Sequence, residues 1–199
     1  MMTNAAKYIE DAKISYRAGK FRKALDPANK AVELEPNNIE AWLIKGLVQI
    51  EIGEQYDAIK CFDKAFELDP KDIRALKYKA KAYISVDEYD KAIKVLEEAL
   101  KIDNEDPEIY STLALAYESI GQIEKAIDLY QQSLKFDSEN PETWKSLATC
   151  YDALEKWEQV SRAWRIAADL HEKRGEMDAA RICIQWAEIA EKHDTDEKF

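Results

Sequence analysis

The chain has 199 residues, and its 40 Asp and Glu outnumber its 29 Lys and Arg to give a net charge of −11. A chain this acidic is a poor match for a phosphate backbone, so no nucleic-acid-binding role is expected. No run approaches the ~18 consecutive apolar residues of a membrane span, and the first residues lack the apolar stretch of a secretory signal. Cys61, Cys150 and Cys183 share no metal-ligand spacing. We therefore expect no disulfide framework, no zinc site and a cytoplasmic location.

Residues of similar size recur every 34 positions along most of the chain. The frames are 5–38, 39–72, 73–106, 107–140 and 141–174. The eighth residue of each frame is small, as shown by Ala12, Gly46, Ala80, Ala114 and Ala148. The twentieth and twenty-seventh are mostly small as well, whereas the fourth and twenty-fourth are mostly large. Small residues allow two helices to approach closely, and large ones fill the space between them.

Each frame is predicted to form two helices joined by a turn at its fifteenth residue. The turn residues are Gly19, Gly53, Asp87, Gly121 and Glu155, and glycine suits the left-handed conformation that ends many helices. The predicted helices span 5–18, 21–34, 39–52, 55–68, 73–86, 89–102, 107–120, 123–136, 141–154 and 157–173. A capping segment over 175–192 contains a last helix near 176–192, and a mobile tail is expected over 193–199.

This pattern resembles the tetratricopeptide repeat (TPR) family, whose unit of about 34 residues is a helix–turn–helix. The resemblance covers residues 5–174 and departs from the family at the seventh position, where Asp11, Lys45 and Lys79 replace the usual Leu. It implies an all-α, right-handed superhelical solenoid of antiparallel helix pairs, with about eleven helices in a single domain over 1–199. One unit cannot bury its own apolar face, so neighbouring units must stack.

Pro27 interrupts the second predicted helix, because proline removes one backbone donor and crowds the carbonyl four residues earlier. Two interpretations remain open from the sequence. The helix is kinked or starts late, or Pro27 is a hinge that lets the first repeat open for a partner.

No catalytic pattern emerges from the residue types that usually supply one. The glycines are scattered rather than grouped into a phosphate-binding loop, and His171 and His193 lie 22 residues apart. Each cysteine occupies a place where a small buried side chain is expected. The sequence therefore predicts a protein that is not an enzyme and that needs no cofactor.

The TPR resemblance implies a concave groove lined by the first helix of each repeat. The predicted binding residues are Ile9, Lys13, Tyr16, Arg17, Leu43, Ile44, Leu47, Ile50, Arg74, Lys77, Tyr78 and Lys81. An apolar patch with charge around it is typical of a binding site, so we expect a peptide or protein partner with apolar anchors and acidic flanks. The alternative is that Leu43, Leu47 and Ile50 pack beneath a neighbouring helix. The Lys and Asn pattern with which some TPR domains clamp a chaperone C-terminus is absent from these positions.

The last predicted helix offers a second hypothesis, because it carries more apolar residues than one neighbouring helix can cover. A closing helix of a solenoid is normally polar on its outer side. The residues expected to mediate self-association are Ile182, Trp186 and Ile189. On this interpretation the protein is a homo-oligomeric scaffold, with a homodimer as its simplest form.

Overall fold

The structure, a computed structural model, describes residues 4–196, and in this range all regular secondary structure is α-helical. The chain divides into two compact units between Asn104 and Glu105. Helices of the N-terminal unit are α1 (Asn4–Arg17), α2 (Phe21–Leu34), α3 (Ile39–Glu51), α4 (Gln55–Leu68), α5 (Arg74–Ile84) and α6 (Tyr89–Ile102). Those of the C-terminal unit are α7 (Pro107–Ser119), α8 (Ile123–Phe136), α9 (Pro141–Asp152), α10 (Trp157–Lys173) and α11 (Met177–Asp196). The prediction of an all-α solenoid built from helix pairs is confirmed, while the single domain over 1–199 stays a prediction.

The turns within the helix pairs fall at the fifteenth position of each frame, as the sequence predicts. Backbone φ is positive at all five residues, including the two that are not glycine, with values of 59° at Asp87 and 55° at Glu155. Because a side chain makes this conformation unfavourable, its adoption by Asp87 and Glu155 shows that the repeat geometry prevails over the local preference of these residues.

The first helices of three repeats begin with a side-chain cap. Asn38, Asp106 and Asn140 accept hydrogen bonds from backbone amides of α3, α7 and α9, respectively. Such caps satisfy donors that the first helical turn leaves without intrahelical partners. In two of these repeats a tryptophan then ties the helix to the preceding loop. Trp42 donates to the Pro36 carbonyl at 2.7 Å, and Trp144 donates to the Ser138 carbonyl at 2.9 Å.

Phe62 fills the centre of the second repeat. Its side chain is fully buried in a cluster that includes Leu43, Ile59 and Ala75. The facing residue of α3 is Gly46, where an added Cβ would lie 2.5 Å from Cε1 of Phe62. The small residue at the eighth position is therefore a glycine in this repeat because the ring occupies the space that an alanine would need.

The proline in the second helix does not interrupt it. Helix α2 runs without a break from Phe21 to Leu34, with Pro27 at its middle. The late start allowed by the sequence is therefore wrong, because the helix begins six residues before the proline. Whether Pro27 acts as a hinge stays a prediction.

The last helix of the C-terminal unit packs through small residues. Four of its small residues are buried, namely Ala180, Cys183, Ala187 and Ala190. Cys183 packs in one cluster with Ala167 and Ala168 of α10. Helix α11 continues to Asp196, through four residues that the sequence assigned to the tail, and residues 197–199 lie outside the described range. Stacking of the His193 ring on Trp157, with centroids 4.8 Å apart, holds the end of this helix against α10.

Candidate partner-binding surface

The first helices of the N-terminal unit, α1, α3 and α5, lie side by side with α3 in the middle. Twelve residues on these helices are predicted to line a groove, and the structure leaves nine of them half-buried or exposed. These nine are Lys13, Tyr16, Arg17, Leu47, Ile50, Arg74, Lys77, Tyr78 and Lys81. Together with Glu40 and Glu51, which share their face of α3, they form what we call the first-helix surface.

The other three predicted groove residues belong to the core. Ile9, Leu43 and Ile44 are 8 %, 3 % and 3 % exposed, so the prediction that they line an accessible groove is wrong. Leu43 packs in the cluster around Phe62, and Ile44 packs in a separate cluster with Ala12. Helix α3 has a neighbouring helix on each side. Leu43 and Ile44 lie at the borders of its exposed face, so these neighbouring helices shield them from solvent.

Two apolar residues remain on the middle of the first-helix surface. Leu47 and Ile50 are half-buried and lie three residues apart, which places them on the same side of α3. Ile50 packs on the edge of the Phe62 cluster. The packing alternative is thus correct for Leu43, whereas Leu47 and Ile50 each keep part of their surface in contact with solvent.

A chain of ion pairs crosses the three helices at one end of this surface. Glu40 of α3 accepts a hydrogen bond from Lys13 Nζ of α1 at 2.8 Å and another from Arg74 of α5 at 2.5 Å. Arg74 also donates to Asp72 at 2.6 Å. Lys13 and Arg74, both predicted groove cations, are therefore held by carboxylates of this chain, and the surface is less basic than the sequence indicates.

The carboxylate of Glu40 is a bridge that the sequence reasoning did not single out. Partial burial alone would raise its pKa, but the hydrogen bonds and charges of Lys13 and Arg74 outweigh burial and lower the pKa below its usual value. The only available signal was its place at the second position of the frame, next to cations from the flanking repeats.

We expect Glu40→Gln to destabilise the protein by less than about 1 kcal/mol, because the ion pairs are partly exposed and screened. The folded-state pKa of Glu40 is lowered, so its contribution to the free energy of unfolding is present at neutral pH and is lost as the pH falls through that pKa. Urea denaturation at several pH values measures this difference. Glu67→Gln is the matched control, because the ion pair of Glu67 with Lys64 lies within one helix. A Glu40→Gln effect that did not shrink in acid would contradict the assignment.

Two tyrosines stand on either side of α3. The Tyr16 hydroxyl donates to Glu51 at 3.2 Å, and burial, with the nearby charge of Glu51, raises the pKa of Tyr16 to about 12. The Tyr78 ring lies 5.7 Å from the Phe62 ring and packs on the edge of that core. Both rings are therefore fixed in place while part of each remains at the surface.

Helix α11 of the C-terminal unit carries the residues predicted to self-associate. Ile182, Trp186 and Ile189 are 52 %, 51 % and 43 % exposed, and their spacing of four and three residues places them along one stripe. The structure therefore leaves these three large apolar residues of α11 partly in contact with solvent.

The three cysteines and His171 are buried side chains. Burial raises the pKa of Cys61 to about 11 and that of Cys150 to about 12, which disfavours the thiolate that a nucleophile requires. His171, expected at a helix end, is buried near the end of α10 with its Nδ1 atom 2.5 Å from Glu176 Oε2. Within residues 4–194 no group of three or more His, Cys, Asp or Glu could hold a metal ion.

None of the described helices is both long enough and apolar enough to cross a membrane.

Tandem antiparallel helix pairs that repeat every 34 residues, with small residues where the paired helices meet, define a TPR-type solenoid. The family model described as the cytochrome c-type biogenesis protein H TPR domain matches residues 29–142, which is more than half of the chain. The chain belongs to this TPR family. No curated protein matches it in sequence.

Solved structures share this fold at low sequence identity. A MamA double mutant (MamA RS-1 ArsTM) is 22 % identical with a TM-score of 0.74, over 87 % of this chain and 98 % of that one. A thermophilic TPR protein of Thermus thermophilus is 17 % identical with a TM-score of 0.76, over 93 % and 99 %. Pseudomonas aeruginosa pilF is 18 % identical with a TM-score of 0.72, over 90 % and 88 %. At these identities the likeness shows the fold.

Proposed function

We propose that this protein is a non-catalytic adaptor or scaffold that binds an extended segment of a partner protein on the first-helix surface. The observation that carries the proposal is the chain of ion pairs from Lys13 through Glu40 to Arg74. It bridges α1, α3 and α5 at one end, while the packing of these helices on one another sets their spacing. Their outward side chains therefore form a single continuous surface. A preorganised surface loses little conformational entropy when a ligand binds.

The chemistry of this surface supports a ligand with apolar anchors and acidic flanks. Leu47 and Ile50 offer apolar area at its middle, and Tyr16 and Tyr78 provide aromatic edges with polar tips. Tyrosine is enriched at interfaces for this reason. Arg17 and Lys81 are exposed on α1 and α5 and would attract carboxylates, with Lys81 also close in sequence to Lys77.

A peptide library displayed on phage and selected on the immobilised full chain tests the proposal, because it does not require the partner to be identified first. Selected peptides are expected to combine Asp or Glu with aliphatic or aromatic residues. Calorimetry then compares one such peptide on the wild-type chain and on the Leu47→Glu, Lys81→Glu double variant. We expect the variant to bind at least about ten-fold more weakly, since it loses an apolar contact and repels the acidic flanks.

The matched control makes one Leu→Glu and one Lys→Glu change on α4 and α6, the second helices of the second and third repeats. Leu68 of α4 is 37 % exposed and Lys94 of α6 is also at the surface. The Leu68→Glu, Lys94→Glu variant is expected to bind the peptide within about two-fold of wild type, as surface changes away from a contact usually do. Both variants must retain the helical circular dichroism and cooperative melting of wild type. Equal weakening in both, or in neither, would contradict the proposal.

The exposed stripe of α11 favours self-association as a second candidate function. Sedimentation velocity over a wide range of protein concentration is expected to show a mass that increases with concentration. Ile182→Glu is expected to keep the chain monomeric, because it places a charge in the apolar stripe. A wild-type chain that stays monomeric at every concentration would remove this candidate.

A further inference from the structure

A pocket of about 430 Å³ opens between α9, α10 and α11 of the C-terminal unit. This volume lies in the range of small-ligand sites. Its walls are largely aromatic, with Trp157 and Trp164 from α10 and Trp186 and His193 from α11, while Asp152 lies in its lining on the side of α9. Three of the five tryptophans in the chain therefore meet at one pocket.

The rings lie in two nearly parallel pairs. Trp157 and His193 are 4.8 Å apart between centroids, and their planes differ by 23°. Trp164 and Trp186 are 6.3 Å apart, with planes that differ by 24°. Trp186 is 51 % exposed, so a large apolar area remains in contact with solvent. A polar side chain at this position would avoid that unfavourable exposure. Stacking on Trp164 therefore leaves the Trp186 ring partly exposed at the pocket.

The charge around the pocket favours a cation. Residues 105–199 carry 21 Asp and Glu against 11 Lys and Arg, whereas residues 1–104 carry 19 against 18, so nearly all of the net negative charge belongs to the C-terminal unit. Among the described residues that line the pocket, Asp152 is the one carboxylate, and Lys and Arg are absent. Arg165, next to Trp164 in sequence, is held by Glu191 through hydrogen bonds of 2.7 and 2.9 Å.

We infer that this tryptophan pocket binds a quaternary ammonium group. The faces of indole rings attract cations, tryptophan most strongly among the aromatic residues, and methyl substituents on the cation add apolar contact with the same walls. Asp152 supplies a formal negative charge, and the acidic unit around it raises the local concentration of cations. The same head group occurs in choline-like small molecules and in trimethylated lysine of a protein, and the test below separates these sources.

The experiment follows the indole N–H signals of the ¹⁵N-labelled full chain. Tetramethylammonium and choline are each added against sodium chloride of equal ionic strength. We expect saturable shifts confined to three of the five indole signals, with a dissociation constant on the order of 1–10 mM for such small ligands. Dimethylbutanol, the neutral carbon isostere of choline, is expected to bind several-fold more weakly.

Variants test the role of each wall. Trp186→Leu keeps the wall apolar but removes its ring face, and we expect it to weaken choline binding by about three-fold or more, with Trp186→Phe intermediate. Asp152→Asn should weaken binding of choline while leaving that of dimethylbutanol unchanged. Met177→Ser is the matched control, because Met177 is exposed on the same helix but lies outside the pocket.

A histone-like peptide with one trimethylated lysine, beside its unmethylated form, distinguishes the two sources. If the methylated peptide binds more tightly than choline, the site is assigned to a partner protein. If choline binds more tightly, the site is assigned to a small molecule. Either result supports the inference. Equal affinity for choline and dimethylbutanol would overturn it, as would the absence of saturable shifts up to about 100 mM. Indole shifts that depend on protein concentration and disappear in Ile182→Ser would overturn it in favour of a second copy covering the pocket.

Discussion

Phe62→Ala is expected to lower the free energy of unfolding of the N-terminal unit by about 3–5 kcal/mol, the cost of removing a fully buried ring and leaving a cavity. Phe62 has no exposed surface and joins α4 to α3 and α5 through Leu43 and Ala75 of its cluster. The surrounding helices are held by their own repeat contacts, so they cannot collapse into the space. Urea denaturation followed by circular dichroism at the helical minimum measures the loss.

Phe136→Ala is the matched control for this prediction. Phe136 is 46 % exposed and stacks on Tyr110 with ring centroids 5.8 Å apart, so its removal should cost no more than about 1.5 kcal/mol. If Phe62→Ala cost less than the control, the central role assigned to the Phe62 ring would be wrong.

Gly46→Ala is expected to destabilise the protein by up to about 2 kcal/mol, although alanine normally favours a helix over glycine. The change gains about 1 kcal/mol of helix propensity, but the new Cβ would lie 2.5 Å from Cε1 and 2.7 Å from Cζ of Phe62. Overpacking of this kind costs roughly 1–3 kcal/mol, because the ring must move within a close-packed core. The unfolding free energy is measured as for Phe62→Ala.

A double-mutant cycle isolates the contact between these two residues. Gly46→Ala combined with Phe62→Leu reproduces the pair that the third repeat uses at the same two positions, Ala80 and Leu96, both of which are fully buried. We expect the double variant to be more stable than the sum of the single effects by at least about 1 kcal/mol. Additive effects would show that Gly46 is small for another reason.

The fold could be predicted from the sequence because the same pattern of residue sizes and turns occurs in all five frames. A small residue at the eighth position and a turn at the fifteenth recur in every frame, so an error in one repeat is corrected by the others. Position alone predicts turns at Asp87 and Glu155, and both have positive φ. The ends of helices are predicted less accurately. Helix α11 continues to Asp196 rather than ending near residue 192, and the sequence has no repeat beyond residue 174 with which to compare this end.

The candidate surface was predicted less well, because its residues differ between repeats. Ile9, Leu43 and Ile44 lie at the borders of their helix faces, and burial there depends on how closely the neighbouring helix approaches. The bridge from Lys13 to Glu40 spans 27 residues of sequence, and with 40 acidic residues in the chain no pattern could select this partner in advance. The tryptophan pocket was missed for the same reason, since Trp157 and Trp186 come from different helices.

Site-specific photo-crosslinking tests whether a partner segment binds across α1, α3 and α5. Benzoylphenylalanine is introduced in place of Leu47 in one sample and in place of Leu68 in another, and each is irradiated with a peptide selected on the wild-type chain. We expect a crosslinked product from position 47 and little or none from position 68. Efficient crosslinking at position 68 with none at position 47 would contradict it.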